Sequence, residues 1–314
     1  MSVTVTLQRL AAVWSIDASV LQTRYQPIAI LGYSPSPYSK QLKTNFEHRK
    51  IHWTLELEAG TGADSVFQPS VVLRFAAPNS NDTISPVLLD QLRSNRRAID
   101  NGAPARMQQL FPEGAYFCHV LHGLTWVEAA LRDTSLTQQA IDEAQLALTS
   151  LDFAECKSPF PPELPPDHGM FYSAWKAHLQ AGIVLLQNGK VAGDLDSLRR
   201  QCDAIAESLA AAETPFLASY RGCVWPCDTV PAIHALKIHD HVTGENRYKD
   251  PIAKWLSDIA SRLDPETGLI PHTANVHDGQ PDNYARATSQ VILLRMLPDI
   301  DPDFSLAQYE IFRQ

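Results

Sequence analysis

Basic residues are the minority charge in this 314-residue chain, with 26 Lys and Arg against 35 Asp and Glu and a formal net charge of -9. The densest basic runs, His48-Arg49-Lys50 and Arg93 to Arg97, are short. No basic stripe is available to displace counterions from a phosphate backbone, which excludes a nucleic-acid binder. No uncharged apolar run approaches the roughly 20 residues of a membrane span. The N-terminal stretch MSVTVTLQRLAAVWS lacks the basic head, apolar centre and small-residue cleavage site of a secretory signal. A cytoplasmic protein without membrane partners is the expectation. The 5 cysteines include no C-x-x-C pair. Reduced thiols are therefore expected, with neither a disulfide framework nor a redox or zinc motif.

What is present is a chain that is 45% apolar and 19% charged, enough for a large core. Residues 1–80 mix a short amphipathic stretch, Leu7 to Val20, with strand-like runs at 51–58 and 71–75 and a Pro/Ser loop between them. They read as an N-terminal extension containing short strands. From residue 81 the pattern is helical and weakly repetitive. Helices are expected to begin near Phe117, Met170, Pro226 and Tyr284, with a further helix near 135–151, 194–212 and 248–262. AHLQAGIVLLQ and ATSQVILLRML are more apolar and richer in small residues, whereas LRRQCDAIAESLAAA and YKDPIAKWLSDIASRL carry charge on one face. Inner and outer helices alternating in hairpins predict a mainly α protein, an α/α-barrel over 81–314. The loops before its inner helices would meet at one mouth.

The richest of these loops is SYRGCVWPCD, which runs into PAIHALKIHDHVTG. Asp228 or Thr229 suits the helix cap, Pro231 the first turn and Gly244 the C-terminus. Cys227 is thereby placed at the positive end of a helix dipole, which favours thiolate over thiol. A buried, inert thiol is the competing reading. The loop before it supplies Asp167 and His168, with Tyr172, Trp175 and His178 in the helix that follows. His168 beside Gly169 is a candidate proton donor or acceptor. His272 and Tyr284 approach the same mouth from the fourth loop. His119 and His122, one turn apart, have ligand-like but commonplace spacing. His239 and His241 lie about 200° apart on a helix and share no ion, and no metal site is expected. His234 shares the face of Cys227 two turns lower, roughly 10 Å along the axis. Asp167 with Asp228 forms a candidate glycosidase pair, since toroids of this kind handle sugars.

The runs Cys227-Asp228-Thr229-Val230-Pro231-Ala232, His239-Asp240-His241, Asp264-Pro265-Glu266-Thr267-Gly268 and Asp301-Pro302-Asp303-Phe304 resemble the linalool dehydratase/isomerase family. The resemblance covers roughly residues 165–314. It implies an α/α-barrel, a homo-oligomer with sites partly lined by a neighbouring subunit, and dehydration or isomerisation of a small terpene alcohol. Neither metal nor organic cofactor is implied. Cys227 matches one of the family's two implicated cysteines; the second falls near Ala218 by spacing, and Cys223 replaces it only in a rearranged loop. The family's helix histidine follows a run like Met170-Phe171-Tyr172-Ser173, where this chain offers Trp175, then His178, with His168 upstream.

The expected site therefore has Cys227 as acid/base or nucleophile, His168 or His178 as its proton partner and Asp228 orienting. Tyr172, Trp175, Cys223, Trp225, His272 and Tyr284 would line a site for a small, largely apolar substrate. A cysteine-nucleophile enzyme of acyl transfer or cyclisation, a sugar-processing toroid and a non-catalytic binding module are the alternatives.

Overall fold

The computed structural model describes residues 84 and 86–313, together with the two short strands β1 (Phe46–Glu47) and β2 (Lys50–Ile51). The amphipathic stretch at 7–20 and the strand-like run at 71–75 lie outside the described residues, as does all of the run at 51–58 except Ile51. The chain divides into two compact units after Phe111. Within the described part of the first, β1 and β2 pair antiparallel, and helix α1 (Pro86–Asp100) packs on α2 (Ala103–Gln108).

The second unit is mainly helical. In chain order it contains α3 (Gly114–Arg132), α4 (Thr137–Ser150), α5 (Ala154–Lys157), α6 (Gly169–Leu186), α7 (Ala192–Ala211), α8 (Pro226–Thr243), α9 (Lys249–Ile259), strands β3 (Thr273–Ala274) and β4 (Pro281–Asn283), α10 (Ala287–Ile300) and α11 (Pro302–Phe312). The apolar, small-residue helices form a row: α3 packs on α6, α6 on α8 and α8 on α10. Each is followed by an amphipathic partner, α4, α7, α9 and α11 in turn, packed against it. On α7 the buried positions are Leu198, Cys202, Ile205 and Leu209, the single stripe that a covering helix needs. In α6, by contrast, nearly every residue from Gly169 to Ile183 is buried. Among the described residues no helix is long and apolar enough to cross a membrane.

Two glycines let α3 and α6 approach. A Cβ on Gly123 would come within 2.9 Å of Leu179, and one on Gly182 within 2.9 Å of Val127. The row is also tied across its ends, because Arg295 of α10 forms an ion pair with Glu128 of α3.

The start of α8 differs from the expectation. Its cap is Trp225, in extended conformation and without a side-chain cap bond, and Pro226 occupies the first turn. Asp228 and Thr229 therefore lie inside the helix, and Pro231 sits in its second turn. Having no N–H, Pro231 cannot donate to the carbonyl of Cys227 four residues before it. Gly244 does end the helix, in the left-handed conformation at φ 70.

Candidate active site

The approaches to α6, α8 and α10 are stitched together by backbone. Met170 N donates to Ala218 O at 2.9 Å, and Ala274 N donates to Val224 O at 3.1 Å. Gly169, at φ 84, is required at the first of these joints, since a Cβ there would lie 2.7 Å from Ser219 O. Three loops distant in sequence thus converge on the first turn of α8.

Asp228 is the group they enclose, and it is buried. Ser219 Oγ donates to its Oδ2 at 2.7 Å and Trp175 Nε1 to its Oδ1 at 3.3 Å. The Cys227 thiol stands 3.9 Å from Oδ1. Burial pushes the Asp228 carboxyl up to about 7; the Ser219 and Trp175 bonds oppose that rise, and the charge of Glu113 adds to it. Near neutral pH the carboxyl therefore exists in both protonation states.

Cys227 is half-buried, and burial followed by the Asp228 charge pushes its thiol well above the ordinary value. A hydrogen bond from Ser289 offsets part of the rise. The thiolate expected from the helix dipole is overturned, because dehydration and an adjacent carboxylate outweigh a partial charge at the helix end. Ser289 Oγ also lies 2.7 Å from His272 Nδ1, and burial with the nearby Arg286 charge keeps the His272 imidazole below its ordinary value. A continuous path of polar side chains results: His272, Ser289, Cys227, Asp228, Ser219.

Aromatic side chains flank the path. Trp225 meets Tyr220 edge to face with centroids 5.4 Å apart, and Trp175 meets Phe117 likewise at 6.3 Å. Cys223 is exposed beside them, while Tyr284 is 64% exposed and stands out from the site.

The two expected histidine partners of Cys227 are engaged elsewhere. His168 caps α6 in the left-handed conformation, with Nδ1 3.0 Å from Phe160 O and its ring against Tyr172. His178 lies mid-helix against the His234 ring at 4.9 Å. Tyr172 donates its hydroxyl to Leu151 O and Asp152 Oδ1, in a polar group with Lys176 that is separate from Cys227. Asp167 is exposed, and the carboxylate whose field reaches Asp228 is Glu113. His122 pairs with Glu143 at 3.0 Å. Among the described residues no group of three or more His, Cys, Asp or Glu side chains is placed to hold a metal ion.

Ser219, Ser289 and Glu113 are the site residues that sequence reasoning passed over. Glu113 and Ser289 lie at or in a first helical turn, where glutamate and serine are too common to stand out, and Ser219 lies in the loop seven residues before α8. A groove of about 290 Å³ between the ends of α7 and α9 contains none of these groups. Leu209, Pro215, Pro251 and Trp255 wall it, and its charged side chains include Lys254 and Asp258, an ordinary i, i+4 surface pair. The polar side chains that meet at the converging loops therefore centre on Asp228. No protein-family model matches the chain, and no curated protein matches it.

Proposed function

We propose that the chain is a cofactor-independent dehydratase or isomerase acting on a small, largely apolar alcohol, built as an α/α-barrel and working as a cytoplasmic homo-oligomer. The observation that carries this reading is the buried Asp228 carboxyl at about 7, with the Cys227 thiol 3.9 Å away. General acids work best when their pKa lies near the operating pH, and correct placement contributes about 10²- to 10⁴-fold.

Asp228 is buried whereas the Cys227 thiol is half-buried, so the thiol is the group assigned to face a substrate. In the proposed step the thiol proton moves to the substrate hydroxyl as the C–O bond breaks and water leaves. Asp228 replaces that proton on sulfur, so no free thiolate accumulates. Loss of a carbon-bound proton to Nε2 of His272, the ring nitrogen not engaged with Ser289, completes an elimination; return of that proton at another carbon, with rehydration, completes an isomerisation. The raised thiol disfavours the rival reading of Cys227 as a nucleophile, which needs thiolate.

Turnover of a panel of tertiary and allylic alkyl and isoprenoid alcohols, followed by gas chromatography, tests the reading. Cys227→Ala and Asp228→Asn are each expected to reduce product formation at least a hundredfold. Wild-type turnover in both variants would sink it. One observation favours a second reading, since Glu113 gives Asp228 a carboxylate neighbour. A sugar-processing site would then use that pair in place of Asp167 with Asp228. Hydrolysis of aryl glycosides, lost in Glu113→Gln, identifies that case.

A further inference from the structure

A second set of titratable groups crosses the helix row below the first. His234, on the same face of α8 as Cys227 and seven residues further on, lies about 10 Å deeper along the axis. Its Nε2 is 3.1 Å from Asp299 Oδ2 of α10. Its ring stands 4.9 Å from that of His178 of α6, which in turn meets Trp175 edge to face at 6.4 Å. Arg295 of α10 lies 3.7 Å from Asp299 Oδ2 and forms the ion pair with Glu128 of α3. The groups facing His234 are thus His178, Asp299 and Arg295, with Glu128 behind the arginine.

The two histidines are 6% and 9% exposed, yet neither Nδ1 has a hydrogen-bond partner among the described residues. Leaving a buried polar atom unpaired costs about 1–3 kcal/mol, and here two such atoms occur on adjacent rings. A leucine at either position would fill a helix contact without that penalty. Meanwhile the Asp299 side chain is 57% exposed. One nitrogen of His234 is therefore coupled to a carboxylate in contact with solvent, while the other is held within the helix row as an unpaired acceptor. A histidine oriented by a carboxylate on one nitrogen and free on the other has the arrangement of a general base.

We propose that His234, held by Asp299, is a second acid–base centre of this interior, a proton port that serves the hydrogen-bonding end of an otherwise apolar molecule. The proposal rests on the acid–base reading of the Asp228 end for its role in turnover. The Nδ1 lone pair takes a proton, the ring becomes imidazolium beside the Asp299 carboxylate, and the Nε2 proton passes through Asp299 to water. The reverse passage delivers a proton from water to Nδ1 and on to the bound molecule. His178, neutral and with its own Nδ1 unpaired, supplies a hydrogen-bonding group beside it. Trp175, which donates to Asp228 and packs on His178, separates the two centres.

Two measurements on the full chain test the port. In the ¹⁵N spectrum of histidine-labelled protein at neutral pH, His234 is expected as the Nε2–H tautomer. Diethylpyrocarbonate, a small apolar electrophile that acylates free imidazole nitrogen, is expected to modify His234 at least tenfold faster than His239. His239 is the internal control, fully buried with Asp240 at one ring nitrogen and Arg199 at the other. A proton on Nδ1 of His234, or modification as slow as that of His239, overturns the proposal. The Asp228→Asn variant should leave both signatures unchanged, so failure of the port and failure of the Asp228 reading are seen separately.

Discussion

His272 Nδ1 and Ser289 Oγ are 2.7 Å apart, joining the loop after α9 to the first turn of α10. A serine has one proton to donate, so when it donates to the Cys227 sulfur it must accept from Nδ1 of His272. Ser289→Ala should remove the one side-chain bond that favours thiolate at Cys227. A hydrogen bond to a charged group contributes about 1.5–3 kcal/mol, so the thiol is expected to rise further when it is lost. Peptide-mapped iodoacetamide labelling checks this. In wild type the exposed Cys223 should react first and Cys227 slowly; in Ser289→Ala, Cys227 should slow a further tenfold with Cys223 unchanged.

Asp228 gives the fold a pH dependence of unusual sign. Its carboxyl ionises near 3.9 in the unfolded chain and at about 7 in the folded one. Between those values the folded state holds a proton that the unfolded state has lost. The contribution to stability is therefore complete below about pH 4 and is lost as pH rises through about 7. Its full span is on the order of 4 kcal/mol. Asp228→Asn keeps an acceptor for Trp175 and a polar partner for Ser219 while removing the titration. Urea denaturation from pH 4 to 8 should show the variant gaining on wild type as pH rises. A constant difference between the two curves would mean that Asp228 is ionised throughout.

Hydrophobic periodicity made α6, α7, α8 and α9 legible, because a 3.6-residue apolar pattern is a local property of the sequence. It also distinguished the row helices from their covers, since a helix buried all round and one buried along a stripe differ in composition. Cys227, Asp228 and Trp175 come into contact, and His272 is linked to them through Ser289. His168 does not join them, because its left-handed backbone turns the ring to Phe160, and Tyr172 is drawn away by Asp152. Ser289 could not be picked out, since the Val224–Ala274 bridge that joins its loop to the approach of α8 pairs two loops with no local signature, and Ser219 reaches Asp228 through the tight turn closed by the Tyr220–Cys223 bridge. The thiol state of Cys227 was misjudged because dipole position is visible in sequence and desolvation is not.

Packing of α3 on α6 should be sensitive at Gly182. An alanine Cβ there meets Val127 at 2.9 Å and 3.1 Å, and valine has little rotamer freedom in a helix with which to yield. Overpacking costs about 1–3 kcal/mol, against a helix-propensity gain of about 1 kcal/mol for replacing glycine. Gly182→Ala is therefore expected to destabilise by up to about 2 kcal/mol in urea titration. Gly193 in α7 has nothing within 4 Å of its would-be Cβ. Gly193→Ala should be neutral or stabilise by up to about 1 kcal/mol, which separates the contact effect from the glycine effect.

His178 should oppose Asp228 in its pH dependence. Burial, followed by the charges of His234 and Arg295, pushes its imidazole well below 6.5, and Asp299 alone among its neighbours pulls it the other way. As pH falls below about 6.5 the unfolded chain takes up a proton at this residue that the folded state refuses. Stability is thus fully present above that pH and falls at about 1.4 kcal/mol per pH unit until the depressed folded value is reached. His178→Gln removes the titration while keeping a polar side chain beside His234. Urea denaturation at pH 7, 6 and 5 should show the variant losing less stability than wild type over that range. Parallel curves would mean that native His178 takes up its proton as readily as the unfolded chain does. Asp299→Asn sharpens the comparison, since losing the one anion beside the pair should depress His178 further and carry the sloping region to lower pH.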